Sequence, residues 1–179
     1  IAYTGLAPIA DNIDAANRIF TFNGGTETIT LVNAAPNTTI NSDLGESVTF
    51  VNPTVSLTIN AGTGDDTLNF TSVGGGYNAT FNVNGDGGTD TLNVIGAINV
   101  GAATVNVDVD AIAFNAGSIT TTGNVNLTAS GTSITTTGAA TDVTAAILTV
   151  DAVTGINLDT DVTSLHAAVS GAGNINIDE

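Results

Sequence analysis

Apolar and polar residues alternate along this chain in short bursts, and turn-forming residues lie between the bursts. Ile29-Thr30-Leu31, Val48-Thr49-Phe50, Leu57-Thr58-Ile59, Phe81-Asn82-Val83, Val105-Asn106-Val107 and Ile156-Asn157-Leu158 each place two apolar side chains on one face and a polar one on the other. That period of two predicts half-buried β-strands. Gly, Asn, Asp and Thr fill the gaps, as tight corners require. One stretch departs from the pattern. Residues 10–18, ADNIDAANR, predict a single short helical turn.

The strands recur as strings. An acidic residue, Thr or Ser, an aliphatic, Thr or Asn, then an apolar residue occurs as Glu27-Thr28-Ile29-Thr30-Leu31, Glu46-Ser47-Val48-Thr49-Phe50, Asp66-Thr67-Leu68-Asn69-Phe70 and Asp90-Thr91-Leu92-Asn93-Val94. The steps are 19, 20 and 24 residues. Residues 56–70, SLTINAGTGDDTLNF, align without gaps on residues 80–94, TFNVNGDGGTDTLNV. Further on, Thr141-Asp142-Val143-Thr144 recurs as Thr160-Asp161-Val162-Thr163, and Gly155-Ile156-Asn157-Leu158 as Asn174-Ile175-Asn176-Ile177, both at a step of 19. Residues 118–123 recur at 133–138, a step of 15, which fits neighbouring sides of one coil or successive coils.

A step near 20 suits three short strands and three corners, stacked on the next copy at about 4.8 Å. The expectation is an all-β right-handed parallel β-helix with 19–24 residues per coil, roughly eight or nine coils long. A sandwich would not need near-identical strings at a steady step. Three regions follow: a cap or connector at 1–18, coils with acidic Gly/Asp-rich corners at 19–100, and coils with Thr/Asn-rich corners at 101–179. Leu68 and Leu92 should face inward on adjacent or near-adjacent coils. The opening IAYTGLAPIA is the candidate cap of one end, and nothing after Asn174 resembles a cap. Chain ends of this kind expose a strand edge.

Composition narrows the function. Among 179 residues there are 17 acidic and one basic, Arg18, for a net charge of −16. Such a surface repels nucleic acid and anionic lipid. With 42% apolar residues in regular runs, disorder is disfavoured. The absence of Cys excludes disulfides and thiolate metal sites. No run approaches the roughly 18–20 apolar residues of a membrane span. The chain opens on Ile1 without a signal-peptide-like run, so a processed or excised piece of a longer protein is expected.

The acidic column supplies the candidate chemistry. Glu27, Glu46, Asp66 and Asp90 would stack about 5 Å apart if the coils register. A cation between coils would relieve their repulsion, and Ca²⁺ suits carboxylate and carbonyl oxygens in flexible geometry. Asp65, Asp66, Asp86 and Asp90, beside corner glycines, form the best cluster, with Glu27 and Glu46 as further ligands. The alternative is that these carboxylates occupy solvated corners. His166, without a second His or Cys, is a surface residue in this reading. Arg18 is expected to pair with Asp11 or Asp14. The triplets beginning at Asn37, Asn69, Asn78 and Asn126 match glycan acceptors, as chance allows in so Asn- and Thr-rich a chain. An outward Thr array of the ice-binding kind starts at Thr28 and Thr30 but drifts to Thr67 and Asn69.

LTINAGTGDDTLNF, FNVNGDGGTDTLNV and the opening YTGLAPI resemble the giant repeat-rich surface proteins of planctomycetes and cyanobacteria. GNVNLTASGTSITTTG and TGINLDTDVTSLHAAVSGAGNINIDE resemble the filamentous-haemagglutinin type of β-helix. Together they cover most of the chain. Residues 61–69 and 85–93 are similar to the calcium-binding nonapeptide Gly-Gly-x-Gly-x-Asp-x-apolar-x of secreted toxins, with Ala61 for the first Gly and Asp86 for the second. That family repeats every nine residues; here the copies lie 24 apart, so a full set of interior calcium sites is not implied.

The resemblance implies an extracellular or cell-surface structural or adhesive segment and no catalytic residues. Its partners would be copies of itself stacked head to tail or the rest of a longer chain, with surface glycans as an adhesion target. The competing class is a polysaccharide-binding or -cleaving β-helix module. Lyases of that shape need basic residues, and this chain has one. Glycosidases need two carboxylates about 5–10 Å apart and aromatic platforms, yet aromatics make up 4% and Trp is absent.

Overall fold

A computed structural model describes residues 8–22 and 24–179. The described residues form no helix and 18 strands. In chain order these are β1 (Ile9–Asp11), β2 (Asn17–Thr21), β3 (Thr28–Ala34), β4 (Asn37–Ser42), β5 (Val48–Phe50) and β6 (Ser56–Asn60). β7 (Thr67–Phe70), β8 (Thr80–Asn84), β9 (Thr91–Val94), β10 (Ala97–Asn99), β11 (Val105–Val109) and β12 (Ala111–Phe114) follow. The last are β13 (Ser118–Thr120), β14 (Asn124–Ala129), β15 (Ser133–Thr136), β16 (Val143–Ala152), β17 (Gly155–Val169) and β18 (Ile175–Asp178). They join into one long, mostly parallel sheet.

Pairing sorts the strands into three rows. Row one stacks β2, β6, β8, β11, β14 and the distal parts of β16 and β17; Leu57, Phe81, Val105, Val125, Leu148 and Leu165 fall in one column. Row two stacks β3, β7, β9, β12, β15, the start of β17 and β18, and its column runs Ile29, Leu68, Leu92, Ile112, Ile134, Ile156 and Ile175. Row three stacks β10, β13 and the first residues of β16 on the middle of β17 through Ile98, Ile119, Val143 and Thr160. Leu68 and Leu92 are therefore adjacent, and both are buried. Each such side chain withdrawn from water contributes about 1.5–3 kcal/mol.

Most steps between stacked strands run from 17, at Val143 to Thr160, to 24, at Leu68 to Leu92. The first step of rows one and two is larger: Arg18 stacks on Leu57 and Ile29 on Leu68, each 39 residues on. The intervening chain forms an antiparallel hairpin. β4 pairs with β3, β5 with β4, and β1 in parallel with β5. The string at Glu46 therefore belongs to the hairpin and not to row two, although it repeats the motif at the expected spacing. This detour also leaves rows one and two with seven strands each, short of eight or nine. Six spacings of about 4.8 Å make roughly 30 Å.

Two other expectations change. Residues 10–18 form no helical turn: β1 ends and β2 begins there, because both find parallel partners. Thr141-Asp142-Val143 does not stack on its copy at 19, since Val143 lies beside Thr160. The chain makes a corner at residues 137–142 before β16, whereas β17 passes from Asp159 into Thr160 without one. The step of 15 is resolved as neighbouring rows: Ile119 pairs in row three and Ile134 in row two. Of the opening IAYTGLAPIA, residues 1–7 lie outside the described residues.

Candidate functional site

Glu27, Asp66, Asp90 and Asp110 sit at the corner that enters row two, each one residue before β3, β7, β9 or β12. There the parallel ladder breaks, and a buried N–H would lack its carbonyl. A carboxylate from the next rung supplies the acceptor. Glu27 N donates to Asp66 Oδ1 at 2.7 Å, Asp66 N to Asp90 Oδ1 at 2.9 Å, and Asp90 N to Asp110 Oδ2 at 2.9 Å. The main-chain carbonyls complete the link: Thr67 N donates to Glu27 O at 2.9 Å and Thr91 N to Asp66 O at 2.9 Å. The column is thus a ladder of charge-assisted hydrogen bonds, about twice as strong as neutral ones.

Burial decides between the two readings of these corners for part of the set. Glu27 is 4% exposed, and Asp66 and Asp90 are 1% exposed, so these three are not solvated. Asp65 and Asp86 are exposed. Asp65 Oδ1 accepts from Thr89 N at 2.9 Å, while Asp86 takes a left-handed φ of 66°. Glu46 stands apart before β5, half-buried. Among the described residues no group of three or more His, Cys, Asp or Glu side chains is arranged to hold a metal ion. The six expected ligands do not form one centre.

Glu27 is fully satisfied. Its Oε1 accepts from Gly24 N at 2.9 Å and its Oε2 from the Ser42 hydroxyl of the hairpin. Asp66 Oδ2 and Asp90 Oδ2 are buried without a donor. Burial first, then the neighbouring carboxylates, pushes both carboxyls above the usual carboxylate value, against the hydrogen bonds from Glu27 N and Asp66 N. Asp142, also buried, is raised by burial and held by Asp159 N and the Thr136 hydroxyl, each at 2.9 Å.

Sequence reasoning missed Asp110. The signal was present: Asp110-Ala111-Ile112-Ala113-Phe114 is the motif with Ala at both outward positions, 20 residues after Asp90. It also missed Asp108, which lines a cleft of about 360 Å³ with Asn84, Gly85, Asp86, Asp90 and Asp110. Corner glycines let the rungs close up. Gly64 has φ 129° and Gly88 φ 133°, and a Cβ on Gly88 would lie 1.7 Å from Gly64 O.

The outward faces carry amide columns. In row one, Asn106 Nδ2 donates to Asn82 Oδ1 and Asn126 Nδ2 to Asn106 Oδ1, both at 2.8 Å. In row two, Asn93 Nδ2 donates to Asn69 Oδ1 at 2.9 Å. His166 is exposed on β17, beside Thr149 of β16. Arg18 pairs with Asp11, as expected, and not with Asp14. Its guanidinium also donates to Val51 O at 3.0 Å and to Ile13 O, and lies 5.3 Å from the Phe50 ring centre.

Fold and site together define an all-β, mostly parallel stacked-strand protein with a buried carboxylate ladder at one corner. No protein-family model, no curated protein and no solved structure matches the chain.

Proposed function

We propose that this chain is a non-enzymatic structural segment, a right-handed parallel β-helix that forms part of a stiff extracellular or cell-surface rod. One observation carries the reading. Apolar columns inside and amide columns outside continue from rung to rung along the same axis, as in the column from Leu57 through Val125 to Leu148 and the column from Asn82 to Asn126. Stability in such an architecture is shared between nearest neighbours, so length adds rigidity without a new core. The acidic surface, with −16 net charge, opposes lateral packing at low salt and steers contact to the ends.

The two ends differ in what they offer. The hairpin β4–β5 covers the first rung, while β18 and the distal part of β17 have no strand beyond them among the described residues. Axial continuation, by further strands of a longer chain or by a second copy, therefore uses the last rung.

A crystal structure tests the architecture. Leu57, Phe81, Val105, Val125 and Leu148 should form one inward column with right-handed winding; their division between two facing antiparallel sheets overturns it. Sedimentation velocity tests the axial contact. Concentration-dependent pairs should form and be abolished by Leu165→Lys, and pairs that persist in that variant overturn the use of the last rung.

A further inference from the structure

Asp90 spends one carboxylate oxygen on Asp66 N and buries the other without a donor. That second oxygen faces Gly85, where a Cβ would lie 2.6 Å from it. Both residues line the cleft between the corner of Asn84, Gly85 and Asp86 and the next rung's Asp108 and Asp110. Asp66 has the same orphaned oxygen, but the residue five positions before it is Ala61, which carries the methyl that Gly85 lacks. At the Asp90 corner that methyl is absent.

An orphaned carboxylate oxygen in a buried site is costly unless a proton or a cation meets it. No Lys exists in the chain, and its one Arg, on β2, is committed to Asp11. The missing positive charge must come from solution. We propose that this cleft binds a hydrated divalent cation, with Asp90 Oδ2 as its innermost protein oxygen and the exposed carboxylates of Asp86 and Asp108 holding its waters at the rim.

The ion is hydrated because no three ligating side chains converge among the described residues. One or two carboxylates with several retained waters is an ordinary coordination for Mg²⁺ and is accessible to Ca²⁺. The cleft joins successive rungs, since Asp90 N bonds Asp110 Oδ2 across it, so the ion would clamp one rung to the next. The proposal rests on the stacked-corner architecture above.

The test is thermal melting of the whole chain in calcium chloride or magnesium chloride, against sodium chloride of matched ionic strength. The midpoint should rise with the logarithm of divalent concentration, as ligation to the native state requires. Asp90→Asn keeps an oxygen for Asp66 N–H and removes the charge. Asp108→Asn leaves the ladder untouched. Each should weaken the divalent response roughly ten-fold or more, while Asp161→Asn, at an exposed position of β17, should retain it. An equal rise in sodium chloride, or an unchanged response in both Asp90→Asn and Asp108→Asn, overturns the site and assigns the effect to screening of the net charge. A crystal structure separates the two levels. Intact register without a divalent response removes the site alone; Asp90 and Asp110 on non-adjacent strands removes the architecture and the site with it.

Discussion

At the first strand of row one, Arg18 occupies the inward column that Leu57 continues, and its charge is met by Asp11 and two carbonyls. Phe50, from β5, closes over it, 0% exposed and 5.0 Å from the Phe20 ring. At the last strand of the same row the column ends on Leu165, 38% exposed, and no residue beyond Thr160 is buried. The two ends are built from the same alternating strands. What separates them is the antiparallel hairpin, which turns side chains onto the end of the stack. A parallel ladder has no terminus of its own, because every strand offers the next one the same unpaired edge. An end is made only by chain that leaves the repeat.

The largest test of this contrast removes the cover. Phe50→Ala should cost about 3–5 kcal/mol in urea unfolding, the loss expected of a fully buried ring. Leu165→Ala at the open end should cost less than about 1 kcal/mol, since little burial is lost there. Equal losses would mean that the ends are covered equally well in solution. Hydrogen exchange offers the same comparison without mutation: amides of β18 should exchange by local opening well before those of β3 and β7.

Acid should separate the covered end from the ladder behind it. Arg18 holds Asp11 below its ordinary value of 3.8, so its contribution is present above that value and is lost as pH falls through the lowered one. Asp66 and Asp90 are raised above 3.8 by burial, so the native state binds their protons more tightly than the unfolded chain. Their contribution is present below 3.8 and is lost as pH rises through the raised values. Melting midpoints should therefore climb as pH falls from neutrality toward that value and then drop. Asp66→Asn, which keeps an acceptor for Glu27 N–H, should flatten the climb, and Asp11→Asn should remove the drop. A midpoint that falls monotonically from pH 7, unchanged in Asp66→Asn, would contradict the ladder's burial.

The smallest effect is expected on the outer surface. Asn106→Ala breaks two amide bonds in mid-row and should cost about 0.5–1.5 kcal/mol. Asn176→Ala breaks one, to Asn157 at 2.5 Å, on the open last rung of row two. Its cost should stay within about 0.5 kcal/mol. A larger loss at Asn176 than at Asn106 would show that the open end is better ordered than its exposure suggests.

Several residues show how far local pattern reaches. The step of 24 placed Leu68 beside Leu92 correctly, because each string carries its own corner and an equal corner returns the chain to the same row. Glu46-Ser47-Val48-Thr49-Phe50 satisfied the same motif and landed in the hairpin. Five residues do not record whether the strand they make runs parallel or antiparallel to its neighbour. Asp110 was missed because Ala replaced the outward Thr and Asn, which the inward packing does not require. The acidic column was legible as residues, but its chemistry was not: attraction to backbone N–H groups of the preceding rung appears only once the rungs are stacked.

An all-β chain of short strands with an apolar and a polar face, repeating at about 20 residues under a strongly acidic surface, is written in the residues themselves. Those properties are local, since they follow from side-chain period, turn residues and charge count. Which copies stack, that residues 37–50 leave the row to cover one end, and that Asp66 and Asp90 are buried with one oxygen unmet emerge only when the strands pack. Each of those depends on which backbone groups remain unpaired after the strands have found their neighbours, and a linear string carries no account of that.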